Sequence, residues 1–315
     1  MLNEMRRKKP KINTKNKSYS LQDCALYKCI TKKSLVKILK SDLGKLKNLS
    51  RDIDNYTTFY EKTDIQKKRL IERPNEELDV IHTRIASLLC RVTQPDFMHS
   101  GLKLHSHVSN AKKHIGVHPL LTTDLKSFFP STSKAIVFDF FFKKLLCSPD
   151  VSELLSNLCT YNNHIPTGSR ISMPLAYWAN SKMFLELNAL SKALGICMTV
   201  YVDDITFSGR SVNKLFKSKV NKIIESHSHI MHPVKTILYK PYQNKLVTGV
   251  IVSGDNLRVR NKQLKDIHVQ MKEWENSNLI ISRNIVKERL LGRLNSASTI
   301  DIRFKDKART LKKTT

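Results

Sequence analysis

Apolar positions along the chain fall into runs whose period alternates between that of a helix and that of a strand. Over 21–49, apolar residues such as Leu35, Val36 and Leu39 are separated by lysines, a helical spacing. YTTFYEKTDIQKKRLIERP, residues 56–74, predicts a hairpin: a β-rich run, a polar turn, and a second run stopped by Pro74. Helical spacing returns over 76–92 at Leu78, Ile81, Ile85, Leu88 and Leu89. LLTTDLKSFF, 120–129, begins as a buried strand, and 135–147 and 174–194 predict helices. ICMTVYVDDITFSG, 196–209, predicts strand, turn and strand, and 211–228 an amphipathic helix. A second hairpin is expected over 245–260 with its turn near Gly254, and the remainder is basic and helical. The pattern predicts an α+β chain with a small antiparallel sheet. A basic arm over 1–20 precedes it, with a composition that predicts disorder. There is no internal repeat.

The length of 315 residues accommodates one large domain or two to three subdomains. Charge changes the picture more. With 55 Lys+Arg against 27 Asp+Glu the net charge is +28, which points to a polyanionic partner, and nucleic acid is the commonest one. The six cysteines, at 24, 29, 90, 147, 159 and 197, form no CxxC pair and no zinc-finger spacing, so reduced thiols in a cytosolic protein are expected. The basic N-terminus has no following apolar region, so a signal peptide is not expected. The most apolar run, AIVFDFFFKKLLC, holds Asp139, Lys143 and Lys144 and is too short to span a bilayer.

Against this positive background, Asp203 and Asp204 stand side by side between two apolar runs. A solvated structural turn would account for the pair alone. A third carboxylate, Asp124, also follows an apolar run and is placed at a strand end. Carboxylates at the ends of neighbouring strands can converge on Mg²⁺, which takes a few carboxylates and completes its octahedron with waters and substrate phosphates. Two such ions with a nucleoside triphosphate amount to nucleotidyl transfer.

DLKSFFPS, then PTGSRISMPLAYWAN (166–180), then YVDD (201–204), in that order and with 79 residues from Asp124 to Asp203, resembles motifs A, B and C of reverse transcriptases. SNAKKH (109–114) carries the NAxxH pattern and LVTG (246–249) the VTG triplet, both similar to marks of the retron reverse transcriptases. RLIERP (69–74) matches the RxIxxP segment that enters the fingers, and Lys235–Thr236 the next palm motif. The resemblance covers about residues 55–300.

That resemblance implies a right-hand polymerase of fingers, palm (an antiparallel sheet with helices) and helical thumb. The implied division is a basic arm and helices over 1–50, fingers over 51–120, palm over 121–250 with a fingers-side segment near 148–168, and an RNA-binding thumb over 251–315. Asp124, Asp203 and Asp204 would be catalytic and, with the Leu125 carbonyl, would hold two Mg²⁺ ions, Mn²⁺ being the alternative. Phe129 would gate against the ribose 2′-hydroxyl. Gly168 and Ser169 would lie against nucleotide and template, Arg69 would contact the triphosphate, and Lys235 would protonate the leaving pyrophosphate. Tyr201 would pack beneath the primer end. Asn110, His114, Val247, Thr248 and Gly249, with basic thumb residues such as Arg293, would bind RNA.

The implied function is synthesis of branched multicopy single-stranded DNA (msDNA) from a cognate msr–msd RNA and dNTPs, primed at a guanosine 2′-hydroxyl. The family works in anti-phage defence in the bacterial cytoplasm. Its partners include an effector (a toxin, a nuclease or an ATPase–nuclease pair). No RNase H domain fits in the length, so a host RNase H would remove the template. A group II intron-like or abortive-infection reverse transcriptase is the alternative, and a catalytically silent RNA-binding scaffold is a second one. Three departures stand out: YVDD for YADD, PTGSRISMP for PQGAPTSP with Thr167, Arg170 and Ile171 unusual, and LHS (104–106) for GRS, where Lys103 is the candidate replacement.

Overall fold

The computed structural model describes residues 10–51, 53–64, 67–276 and 280–313. They form two compact units.

The first unit takes the described residues of Met1–Asp96, Leu125–Leu187 and Lys222–Ile230. Its helices start where the chain supplies caps. Thr31 caps α1 (Lys32–Leu39), Asp42 caps α2 (Leu43–Leu49) and Asn75 caps α3 (Glu76–Leu89), each accepting a hydrogen bond from a backbone amide three residues on, worth about 1 kcal/mol per cap. Between α2 and α3 lies the expected hairpin, β1 (Tyr56–Asp64) against β2 (Lys67–Pro74), antiparallel. Glu76, Glu77 and Asp79 fill the first turn of α3, where the helix dipole favours negative charge. The apolar stripe read from the sequence, Leu78, Ile81, Ile85, Leu88 and Leu89, is buried as its spacing requires.

Residues 10–20 are not the disordered arm their composition suggested. Asn13 N donates to Ser87 Oγ at 3.0 Å, Arg91 Nη2 donates to Asn13 O at 3.0 Å, and Tyr19 bridges Val92. The end of α3 satisfies this segment's backbone, which composition cannot register. Residues 1–9 of the arm lie outside the described residues.

Three short helices precede two longer ones: α4 (His107–Lys112), α5 (Phe128–Ser131), α6 (Lys134–Asp139), α7 (Pro149–Cys159) and α8 (Ser172–Ala179). Of these α4 belongs to the second unit. The helix expected over 135–147 changes to a π-turn over Phe140–Lys144, and that expected over 174–194 is broken at Asn180 into α8 and α9 (Ser181–Ala193). Asn180 turns its side chain back onto its own helix, Nδ2 donating to Ala176 O at 2.9 Å.

The second unit takes the described residues of Phe97–Asp124, Asn188–Asn221 and Met231–Thr315. Its centre is an antiparallel sheet of β3 (Leu120–Asp124), β4 (Cys197–Tyr201), β5 (Asp204–Ser208) and β6 (Ile237–Tyr239), in the order β4-β5-β3-β6. Helix α10 (Lys214–Ser226) follows β5. The expected hairpin over 245–260 is a three-stranded meander, β7 (Lys245–Val247), β8 (Val250–Ser253) and β9 (Asn256–Val259). The extra turn is Thr248–Gly249, both at positive φ (43° and 84°), a two-residue type I′ connection. Helices α11 (Asn261–Glu275), α12 (Ile280–Ser298) and α13 (Arg303–Lys313) close the chain around Ile267, Leu290, Leu294, Ala297, Ala308 and Leu311.

All six cysteines are free thiols. Among the described residues, no helix is long and apolar enough to cross a membrane.

Candidate active site

The two aspartates of YVDD sit on the connection between β4 and β5. Tyr201 pairs with Asp204, leaving Val202 and Asp203 as a two-residue turn. Val202 has φ 62°, while Asp203 does not share the positive φ, so the turn follows the type II′ pattern that ordinarily calls for glycine. Asp124 ends β3, directly opposite Asp204 in the antiparallel register. Sheet pairing therefore brings together carboxylates that lie about eighty residues apart in the chain.

Electrostatics follow from that juxtaposition. Burial raises the Asp204 carboxyl, and the charges of Asp203 and Asp124 raise it further, to about 7 against the opposing pull of Lys235. Lys235 Nζ lies 2.8 Å from Asp124 Oδ1. Partial burial works against the Lys235 ammonium, but the hydrogen bond to Asp124 and the three carboxylate charges outweigh it and raise its pKa. The turn over 232–236 presents this lysine: His232 N donates to Asp124 O at 2.7 Å, Thr236 N donates back to His232 O at 3.0 Å, and Thr236 shares a 2.8 Å hydroxyl contact with Thr123. Thr236 belongs to the Lys235–Thr236 motif read from the sequence, whereas His232 carried no such signal. Among the described residues, no three acidic, imidazole or thiol groups converge closely enough to hold an ion by themselves.

NAxxH and VTG, read separately, meet in the second unit. Asn110 Nδ2 donates to Thr248 Oγ1 at 3.4 Å, and Thr248 Oγ1 donates to His107 O at 2.8 Å. His114 lies between the arms of the aspartate hairpin, 2.7 Å from both Ser208 Oγ and Thr199 Oγ1. Burial holds it near pKa 3 and neutral. This corrects the expected RNA contacts of three residues: Asn110 and His114 are 1% exposed and Val247 is 0% exposed. His114 joins β4 to β5, Asn110 faces the Thr248 turn and Val247 sits in an apolar cluster, so these side chains point into the unit and away from a polymer outside it. Gly249 is exposed and opens onto a groove with Arg289, Gly292 and Arg293, where Arg293 Nη1 lies 2.8 Å from Asp266.

The remaining candidates belong to the first unit. Arg69 is exposed on β2, paired across the ribbon with Glu61. Leu125 is buried. Phe129 is half-buried beside Phe128 (ring centroids 5.8 Å apart), and Phe128 is fully packed against Phe184 and His229. The atypical motif B is fastened to β2 and α3. Gly168 N donates to Glu72 O at 3.1 Å, and Thr167 Oγ1 donates to Leu70 O at 2.7 Å. The buried Glu72 carboxylate accepts from Thr167 N and faces His164 Nε2 at 3.0 Å. Arg170 pairs with Asp79. Ser169 is held by His82, whose burial keeps it neutral near pKa 4. Because His82 Nε2 must donate to Leu158 O at 2.6 Å, Nδ1 accepts the Ser169 hydroxyl proton, also at 2.6 Å. Thr167 and Arg170, unusual in sequence, thus have specific partners.

No protein-family model matches the chain. It is similar to the retron Ec86 reverse transcriptase of Escherichia coli, 28% identical over 209 residues, covering 65% of this chain and 65% of that protein. The retron Se72 reverse transcriptase of Salmonella heidelberg is 32% identical over 164 residues (50% of this chain, 42% of that one). The retron Mx162 reverse transcriptase of Myxococcus xanthus is 26% identical over 257 residues (70% and 53%). The matched regions span less than two thirds of the length of each of these relatives. Among solved structures, a foamy viral protease–reverse transcriptase in complex with double-stranded DNA aligns with a TM-score of 0.44 at 15% identity, covering 77% of this chain and 36% of that one. The ordered motifs and the paired aspartates thus stand in a chain that is similar to several curated retron reverse transcriptases.

Proposed function

We propose that the chain is an RNA-directed DNA polymerase of the retron kind, copying part of a structured non-coding RNA into msDNA from a guanosine 2′-hydroxyl. The observation that carries the reading is the carboxylate cluster at the end of an antiparallel sheet: Asp124 opposite Asp204, Asp203 on the turn, and Lys235 on Asp124. A divalent cation fits this donor set, because carboxylate oxygens are the ligands such a cation takes and Asp204, raised to about 7 first by burial and then by the charges of Asp203 and Asp124, would be relieved by a bound positive charge. Asp124, Asp203, Asp204 and the Leu125 carbonyl would hold Mg²⁺ or Mn²⁺, with waters and triphosphate oxygens completing the shell. When bound, such ions supply activation of the primer hydroxyl and neutralisation of the charge that develops on the phosphates.

The protein's own groups then have distinct tasks. Lys235 holds a proton on a raised-pKa ammonium and delivers it to the departing pyrophosphate oxygen. Phe129 sets the space at the sugar, Gly168 and Ser169 provide a backbone surface for nucleotide and template, and Arg69 offers its guanidinium to the triphosphate. The +28 charge favours nucleic acid generally, and Thr248, Gly249 and Arg293 offer the RNA contacts left once Asn110, His114 and Val247 are seen to be buried. The three-part division into fingers, palm and thumb, a bacterial cytoplasmic setting, an effector partner, a host RNase H and an anti-phage role belong to the same reading.

The test is expression of the gene with its upstream intergenic DNA. Small nucleic acids are treated with RNase and debranching enzyme, beside an Asp203→Asn, Asp204→Asn control. A discrete DNA band that needs both aspartates and shifts on debranching is the expected result. No band, with activity kept on a generic primed RNA, would leave a reverse transcriptase of the intron-like or abortive-infection type. No activity on either would leave the silent RNA-binding scaffold.

A further inference from the structure

The turn that presents Asp203 is in a conformation its own sequence disfavours. Val202 is β-branched and stands at φ 62°, where Cβ crowds the backbone and glycine is the usual occupant. Such a residue persists only when its surroundings over-determine it. Here the surroundings are an irregular segment of the same unit, Phe97–Ser100, which runs alongside β4. Val200 N donates to Phe97 O at 2.8 Å, and His99 N donates to Val200 O at 2.9 Å, giving a parallel bridge between Met98 and Val200. At Val202 the chain leaves the sheet, and its N–H is taken by the side chain of Ser100, with Oγ at 3.0 Å. Ser100 is only 5% exposed, so water does not compete for that hydroxyl.

We infer that Ser100 is a positioning residue of the active site: its hydroxyl oxygen accepts the Val202 N–H and holds the left-handed turn that presents Asp203. The inference rests on the polymerase reading for its catalytic consequence, but not for the hold itself. Ser100 touches neither substrate nor metal. It acts through the turn, so losing it misplaces a carboxylate without removing one. The need for the hold comes from valine. A glycine at 202 occupies positive φ without strain and should make Ser100 dispensable.

The experiment uses the full chain with oligo(dT) on poly(rA), measuring single-turnover addition of dTTP with Mg²⁺, and Asp203→Asn as the blank. Ser100→Ala should lower the maximal rate by about 10- to 100-fold, the scale of a small misplacement of a reacting group, with the dTTP dependence nearly unchanged. Ser100→Thr, which keeps an acceptor, should restore most of the rate. In a Val202→Gly background, Ser100→Ala should cost less than about twofold, the relief expected where glycine is at ease. A folded Ser100→Ala chain at the wild-type rate, or an equal loss in both backgrounds, overturns the inference. Should Ser100→Ala not fold, Ser100→Cys keeps the volume with only a weak acceptor, and a wild-type rate from it is equally fatal. If the wild-type chain adds no nucleotide, the polymerase reading fails by itself. Hydrogen exchange then decides the hold: the Val202 amide should be protected in the wild type and exposed in Ser100→Ala, and equal exchange in the two rejects it.

Discussion

Lys235 Nζ sits 2.8 Å from Asp124 Oδ1, across 111 residues of chain, and half of the lysine side chain remains in solvent. The pair is made by the 232–236 turn locking onto the end of β3. Its partial exposure leaves the ammonium able to leave Asp124 when the carboxylate takes another partner. Lys235→Met should therefore slow single-turnover nucleotide addition by about 10²-fold, the usual lower scale of general-acid catalysis, with a smaller effect on dNTP affinity. The solvent deuterium isotope effect should fall with it. An unchanged isotope effect would remove Lys235 from proton transfer.

Asp204 moves from an ordinary 3.8 to about 7 in the fold. Between those values the folded chain holds more protons than the unfolded one. The carboxyl thus turns against the fold as pH rises through that window, and remains unfavourable above it. Asp204→Asn should raise the thermal midpoint at pH 8 and leave it unchanged near pH 4. Mg²⁺ should stabilise the wild type more at pH 8 than at pH 6, and the asparagine variant less at both. Midpoints raised equally at pH 4 and pH 8 would assign the gain to packing instead of charge.

A Cβ on Gly168 would fall 2.6 Å from the Glu72 carbonyl oxygen and 2.9 Å from its carbon, both backbone atoms of β2. Neither can swing away as a side-chain tip could. Gly168→Ala should cost about 1–3 kcal/mol of stability, as overpacking does, and raise the apparent KM for dNTP by loosening motif B from β2. Denaturant midpoints and steady-state kinetics read the two effects separately.

Adjacent phenylalanines should behave differently. Phe128 is 3% exposed among Phe184 and His229, so Phe128→Ala should act on stability, by about 3–5 kcal/mol. Phe129 is half-buried, and Phe129→Ala should mainly act on selectivity. Competing dNTP and rNTP incorporation should show discrimination falling at least about tenfold, a loss of roughly 1.4 kcal/mol. Unchanged discrimination would return Phe129 to a packing role.

Arg289 and Arg293 border the groove at Gly249. Each alanine replacement should weaken RNA binding uniformly across sequences and lower the slope of log K against log salt by about 1. A salt-independent affinity would exclude phosphate tracking by this face.

Local information carried far in the sequence. The β1–β2 hairpin, the α3 stripe, the strand–turn–strand around Asp203 and the ordered motifs were legible because each depends on spacing within one segment. The same locality explains what went unseen. The contacts of Asn110 with Thr248, Val202 with Ser100 and Asp124 with Lys235 span 138, 102 and 111 residues. The NAxxH pattern marks His114 but cannot say that it is sealed between β4 and β5. Nor could charge composition reveal that residues 10–20 find backbone partners at the end of α3. Most elements and all three carboxylates could be read along the chain, because periodicity and turn chemistry are properties of neighbouring residues. Only the tertiary structure decided the register that sets Asp124 against Asp204, the burial that raises Asp204 and the lysine that answers it, because pairing and desolvation depend on what distant segments place around a group.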